Sequence, residues 1–222
     1  MMSVMRCTRF YKRHFSTSLL RLQDNKPVFN DNKEKNLNPS RYTSPPLEEL
    51  PEDIRAICDE TKSKIGFIPN VFLAYAKRPE HFRNFMSYHD LLMKGPSGLS
   101  RAERESIVVV VSKENSCLYC VVAHGAALRV LGKDNVVADQ IVVNWRTADL
   151  SPRLRGILEF ASKVNEKGFV AQEEDINNLK ELGLTDFDVW DIVSIAAFFG
   201  FSNRMAGFLD MRPNIEFYNM KR

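Results

Sequence analysis

Apolar residues recur at helical spacing along most of the chain from Leu47 onward. Stripes of this kind follow Pro51, Pro79, Pro152 and Thr185, and proline and threonine are residue types found where helices begin. Because three- and four-residue spacing places side chains on one face of a helix, we predict an all-α domain over residues 47–216. In the segment after Pro79, the residues on the predicted buried face are Phe82, Phe85, Met86, His89, Leu92 and Met93.

One segment has the composition of a strand, because residues 107–111 are all isoleucine or valine. Just before it, Ser100 and Glu103 have the spacing of a capping box, which marks the start of a helix. The rest of the chain offers no partner strand. We therefore predict a helix across this run as well.

The first fifteen residues are basic and contain no acid, and the first acidic residue of the chain is Asp24. Arginine, lysine, serine and threonine with scattered large apolar residues are typical of a mitochondrial transit peptide. We predict such a peptide over residues 1–15, cleaved after Phe15, and a location in the mitochondrial matrix. The alternative is a disordered basic tail. Residues 16–46 resemble a linker or extended arm, and residues 217–222 are expected to form a C-terminal tail.

The charge balance excludes the strongly basic surface that is typical of nucleic-acid-binding proteins. Four of the 31 basic residues lie within residues 1–15, which leaves 27 basic against 28 acidic groups in the remainder. A membrane span is not expected either, because the longest apolar run, residues 192–201, is interrupted by Ser194 and Gly200. A spanning helix needs about 20 apolar residues.

The candidate chemistry lies in one short segment that contains Cys117, Cys120 and His124. Spacings of three and four place these side chains on one face of a helix. Asn115 or Ser116 is a suitable N-cap, which would put both sulfurs in the first turn, where the helix dipole favours thiolate. Because His124 lies one turn after Cys120, we expect Cys120 to be the low-pKa thiol.

Three other interpretations compete with redox chemistry. Two cysteines on a helix can simply pack in a core, as we expect for Cys58 on its apolar stripe. A zinc site is disfavoured because only three ligands lie close together. A thioredoxin-like fold also uses Cys-x-x-Cys, but it needs strands around the motif. We expect neither a metal nor a cofactor.

Glu105 lies twelve residues before Cys117, and together these residues form the pattern Glu-x₁₁-Cys-x₂-Cys-x₃-His. This pattern resembles the alkylhydroperoxidase D and carboxymuconolactone decarboxylase superfamily. Three flanking stretches resemble its peroxidase-related branch: residues 66–70, 99–101 and 197–204. Considered alone, Glu105 is equally compatible with an ordinary solvated charge on a helix.

The resemblance implies an AhpD-like all-α fold, a homo-trimer or hexamer, and reduction of a hydroperoxide with electrons from a dithiol donor of lipoyl type. By analogy, Cys120 reacts with peroxide, Cys117 resolves the product, and Glu105 and His124 form a proton relay. The founding member has a histidine between the cysteines, where this chain has Tyr119, a poorer proton shuttle at neutral pH. Decarboxylation is disfavoured, since the decarboxylases proper lack the cysteine pair. The alternative function is a thiol–disulfide exchange partner or redox-sensing scaffold of the same fold.

Overall fold

The computed structural model describes residues 38–222, and this part of the chain is helical throughout, with no strand. The prediction of an all-α domain is therefore confirmed. The proposed transit peptide and residues 16–37 of the expected arm lie outside the described residues. The helices are α1 (Glu52–Ile65), α2 (Asn70–Tyr75), α3 (Pro79–Lys94), α4 (Arg101–Glu114), α5 (Leu118–Gly132), α6 (Asn135–Asn144), α7 (Pro152–Val164), α8 (Glu173–Glu181), α9 (Asp186–Phe208) and α10 (Ile215–Asn219), with 3₁₀ turns at Leu47–Glu49 and Trp145–Thr147.

Helix α4 lies at the centre of the domain and packs against α5, α7 and α9. Its isoleucine and valine run, residues 107–111, is completely buried. Residues with this composition favour strands only where a sheet can accept them, and here helices surround α4 on several sides. The hydrophobic effect therefore favours a helix that is apolar around most of its circumference.

Three of the predicted helix starts have side-chain caps, whereas the helices that begin near Pro51 and Pro79 have none. The Ser100 hydroxyl accepts from the backbone N–H of Glu103, while the Glu103 carboxylate accepts from the N–H of Ser100. Thr185 and Asp188 form the same reciprocal cap at the start of α9, and the Ser151 hydroxyl accepts from the N–H of Leu154 at the start of α7. Each such cap typically contributes about 1 kcal/mol. Three helices, α2, α6 and α10, were not predicted from the sequence pattern.

The C-terminal residues do not form the expected free tail. Helix α10 includes Phe217, which is buried with its ring 4.9 Å from that of Phe67. The guanidinium of Arg129 donates to the carbonyls of Phe217 and Met220. These contacts attach the end of the chain to α5, because a buried arginine requires acceptors for its N–H groups.

The last residues of the expected arm are also attached to the domain. The backbone N–H of Arg41 donates to the carbonyl of Leu209, and that of Arg212 donates to the carbonyl of Pro39. Within residues 38–222, no helix is both long enough and apolar enough to cross a membrane.

Candidate thiol active site

The chain reverses direction between α4 and α5 at Ser116, whose φ of 56° lies in the left-handed region. The next backbone N–H, that of Cys117, donates to the carbonyl of Ser112 over 2.9 Å. Helix α5 begins at Leu118, so Cys117 is its N-cap residue and Cys120 its third residue. The cap therefore lies one or two positions later than the sequence predicted, and only Cys120 belongs to the first turn.

Cys117 and Cys120 are both free thiols, and their side chains are in hydrogen-bond contact. This contact with Cys120 lowers the pKa of Cys117 to about 6, although burial acts in the opposite direction. The same contact, together with burial, raises the pKa of Cys120 well above that of an ordinary thiol. The pair therefore holds a single proton at neutral pH, with Cys120 as the donor and Cys117 as the thiolate.

The order of the two thiol pKa values is the opposite of that expected from the spacing to His124. Proximity to an imidazole is only a minor influence on Cys117, and burial and the partner sulfur dominate at Cys120. Cys120 lies inside the helical bundle with 2% of its surface exposed. Removing a thiolate from water disfavours the charged form, and helical spacing alone does not reveal that effect.

Asn203 of α9 contacts both sulfurs and acts to lower the pKa of each thiol. Its side-chain amide donates to the hydroxyl of Ser112 over 2.9 Å and accepts from the amide of Asn115 over 3.0 Å. The neighbouring Ser202 contacts Cys120 and also acts to lower the pKa of its thiol. The resemblance included residues 197–204 without assigning any of them to the site, and no local spacing relates this helix to the cysteines.

Glu105 and His124 are brought together by the packing of α4 against α5. The Nδ1 atom of His124 lies 2.7 Å from a carboxylate oxygen of Glu105, and both side chains are largely buried. Glu105 is therefore not a solvated helix charge. A carboxylate on Nδ1 orients the imidazole and leaves Nε2 as the nitrogen that can exchange a proton with another group.

Cys120 and His124 line one enclosed cavity of about 60 Å³ at the junction of α2, α3, α5 and α9. Cys117 does not line this cavity. Its walls are mainly apolar, and apolar walls with a few polar groups are typical of small-molecule sites. The full lining consists of Val71, Phe72, Phe85, Met86, His89, Tyr119, Cys120, His124, Phe199, Ser202, Ala206 and Met211.

The cavity contains a second histidine, His89, whose ring centre is 6.3 Å from that of His124. Its Nδ1 atom lies 3.1 Å from a carboxylate oxygen of Asp90, and this contact lowers the pKa of Asp90 to about 2. The sequence pattern indicated only that His89 lies on a buried face of α3. The sequence contained one indication of this role, because His89 shares its buried helix face with Phe85 and Met86.

Tyr119 lies between the cysteines in sequence, but its hydroxyl is directed toward another part of the molecule. The hydroxyl accepts from the backbone N–H of Val71 over 3.1 Å, and burial raises the pKa of Tyr119. The phenol thus supports the start of α2. Within the described residues, no group of three or more His, Cys, Asp or Glu side chains is arranged to hold a metal ion.

Comparison with known proteins places these features in a family context. Residues 79–163 match the model of the carboxymuconolactone decarboxylase family. A search of curated proteins found no significant match. A solved structure from Ralstonia eutropha JMP134, described as an alkylhydroperoxidase AhpD core and an uncharacterized peroxidase-related protein, is 53% identical, with a TM-score of 0.81. That match covers 83% of this chain and 97% of the other.

A peroxidase-related protein from Silicibacter sp. TM1040 is 38% identical with a TM-score of 0.80, over 85% of this chain and 98% of that one. The debrominase Bmp8 shares the fold at 17% identity, with a TM-score of 0.66 over 77% of this chain and 90% of its own. At 17% identity, the match to the debrominase shows a shared fold alone. Given the identity and coverage of the first two matches, this chain belongs to the alkylhydroperoxidase D and carboxymuconolactone decarboxylase superfamily.

Proposed function

We propose that this protein is a thiol-dependent hydroperoxide reductase with Cys120 as the attacking sulfur and Cys117 as the resolving one. One observation carries the proposal: Cys120 lines a small cavity together with a carboxylate-held imidazole, His124, and its side chain contacts that of Cys117, whose pKa is lowered. The attacking thiol of Cys120, the resolving thiol of Cys117 and the imidazole of His124, which can transfer a proton, are therefore close together. The AhpD-like fold supports the same antioxidant function.

The oxidation step begins with movement of the Cys120 proton along the existing hydrogen bond to Cys117. The Cys120 thiolate then attacks the terminal oxygen of the hydroperoxide, the O–O bond breaks, and an alkoxide leaves. His124, held by Glu105, delivers to this alkoxide a proton that comes from solvent. The products are an alcohol and a sulfenic acid on Cys120.

The resolution step forms the disulfide. The Cys117 sulfur attacks the Cys120 sulfenic acid, an S–S bond forms, and the S–OH oxygen leaves as water with the proton of Cys117. Over both steps, one thiolate, one thiol, one hydroperoxide and one proton become one disulfide, one alcohol and one water. A dithiol donor then returns two electrons and one proton to the pair, and its second proton is released to solvent.

The dimensions and walls of the cavity favour a small hydroperoxide. A cavity of about 60 Å³ has room for only a few water-sized groups. Hydrogen peroxide or a short alkyl hydroperoxide fits such a space beside Phe85 and Phe199, whereas a fatty-acid hydroperoxide requires the walls to move. We therefore expect the rate of the peroxide step to fall as the alkyl group becomes longer.

A single-turnover experiment tests the proposal. Reduced protein is mixed with hydrogen peroxide or tert-butyl hydroperoxide, and free thiols are counted by mass spectrometry after rapid quenching. We expect one disulfide per peroxide in the unaltered protein and a sulfenic acid on Cys120, captured by dimedone, in Cys117→Ser. Cys58 serves as an internal control, because it is completely buried.

The same experiment distinguishes the alternative function. A thiol–disulfide exchange partner or redox-sensing scaffold would exchange with disulfides at Cys117 but react with peroxide no faster than a free thiol. That result, or a sulfenic acid on Cys117 in the Cys120→Ser protein with an inert Cys117→Ser protein, would overturn the proposed roles.

A further inference from the structure

Cys117 opens toward a different depression from the one that contains Cys120. This depression, here called the thiol cleft, has a volume of about 210 Å³ and is lined by residues that include Cys117, Leu118, Asn203, Gly207, Asp210 and Arg212. Cys120 and His124 do not line it. Tyr119, Ala206 and Met211 line both the thiol cleft and the cavity, so these side chains form the wall between them.

We propose that the thiol cleft is the binding site of the dithiol reductant, so that peroxide and reductant reach the cysteine pair from opposite sides of a shared wall. This inference rests on the proposed function and adds the location of the second substrate. Exchange requires a thiolate to approach a disulfide sulfur directly. Cys117 lines the thiol cleft with 7% of its surface exposed, whereas Cys120 does not line it and is 2% exposed.

The proposed thiol–disulfide exchange proceeds through Cys117. A donor thiolate attacks the Cys117 sulfur, the Cys117–Cys120 bond breaks, and Cys120 leaves as a thiolate that takes a proton. The second donor thiol then attacks its own sulfur in the mixed disulfide, and Cys117 is released as the thiolate. The donor becomes a disulfide, and the low pKa of Cys117 makes it a good leaving group in this second exchange.

The dimensions of the thiol cleft favour a dithiol carried on a flexible arm over one embedded in a folded protein. A volume of 210 Å³ is below that of typical drug-sized pockets, but it accommodates a short aliphatic chain. The wall also contains the Arg212 guanidinium, whose outer part pairs with Asp210.

Gly207 allows a sharp test, because it lines the thiol cleft and a Cβ added there meets no atom within 4 Å. Gly207→Trp should therefore fill the thiol cleft without distorting α9, and Gly207→Ala is the matched control. The disulfide is made with diamide, so the measurement does not depend on peroxidase activity. Its reduction by dihydrolipoamide is followed by rapid quenching and mass spectrometry.

We expect Gly207→Trp to slow this reduction at least tenfold and Gly207→Ala to remain within twofold of the unaltered protein. Single-turnover oxidation of reduced Gly207→Trp by hydrogen peroxide should stay within twofold. The reciprocal variant, Met86→Trp on the cavity side, should slow oxidation by peroxide and leave reduction by dihydrolipoamide unchanged. Unchanged reduction in Gly207→Trp, or equal slowing of both half-reactions, would overturn the thiol cleft as the reductant site.

Discussion

Cys117 and Cys120 occupy the N-cap and third positions of the same helix, yet they lie in different environments and share one proton. Cys117 lines the thiol cleft of about 210 Å³, and Cys120 lines the smaller cavity of about 60 Å³. The position that favours a resting thiolate is therefore separate from the position that faces a small peroxide. In the proposed mechanism, the resting thiolate activates the buried sulfur.

Alkylation should identify Cys117 as the resting thiolate. Because its pKa is lowered to about 6, its reaction with iodoacetamide should rise as the pH passes about 6 and level off above pH 7. Cys120→Ala removes the S–H donor and should move this midpoint upward toward about 8.5, the value of a free thiol. Cys120→Ser retains a donor and should change it by less than about one unit. Alkylation of Cys120 before Cys117, measured by peptide mapping, would contradict the assignment.

The carboxylate of Glu105 should matter for the peroxide step more than for the resting thiolate. His124→Ala removes the proposed proton donor and should slow single-turnover oxidation by roughly 10²-fold or more. Glu105→Gln retains a hydrogen-bonding group beside Nδ1 but lacks the charge, so we expect a smaller loss, about tenfold. Cys117 in Glu105→Gln should alkylate with an unchanged midpoint. A purely structural role for Glu105 predicts instead that peroxide rate and alkylation change together.

Tyr119 should act as a structural group and not as a proton shuttle. In Tyr119→Phe the partly buried N–H of Val71 loses its acceptor, which should lower the free energy of unfolding by about 1 kcal/mol in urea denaturation. The rate of oxidation by peroxide should stay within twofold. Tyr75→Phe is the matched control, because the buried hydroxyl of Tyr75 has no hydrogen-bond partner in residues 38–222. Removal of the Tyr75 hydroxyl should be neutral or stabilising. A peroxide step slowed tenfold in Tyr119→Phe would instead indicate that Tyr119 transfers a proton during the reaction.

An exposed apolar stripe on α9 supports the expected homo-oligomer. Phe187, Trp190, Phe201 and Phe208 lie along one face of this helix, and Trp190 is 73% exposed. We propose that this stripe contacts a second copy of the chain. Trp190→Glu should then reduce the mass measured by light scattering at micromolar concentration. Val170→Glu, an equally exposed site away from the stripe, should leave the mass unchanged. A monomeric unaltered protein would contradict this prediction.

The basic N-terminal residues lead to a proposal about location. If residues 1–15 are a transit peptide, the mature protein in the mitochondrial matrix should begin at Ser16. Protein recovered from isolated mitochondria and sequenced from its N-terminus should therefore start there. A chain that retains Met1 or Met2 in that fraction would contradict import with cleavage.

Much of the fold follows from local patterns. Helical spacing and the caps at Ser100, Ser151 and Thr185 are properties of neighbouring residues, and the structure confirms them. The sequence pattern did not predict elements whose apolar spacing is weak or whose contacts come from residues distant in sequence. Helix α6 was missed, and the C-terminal residues were expected to be a tail because their contacts with α5 come from about 90 positions away in sequence.

By itself, the sequence determined which residues are available for chemistry and that Cys117, Cys120 and His124 lie within two helical turns of one another. Only the tertiary structure decided their environments. Contact with the Cys117 sulfur and burial together raise the pKa of Cys120, α4 brings Glu105 to His124, and α9 brings Asn203 to both sulfurs. The physical reason is that desolvation and hydrogen-bond partners depend on which distant helices pack around a side chain. Spacing along one helix contains no information about that packing.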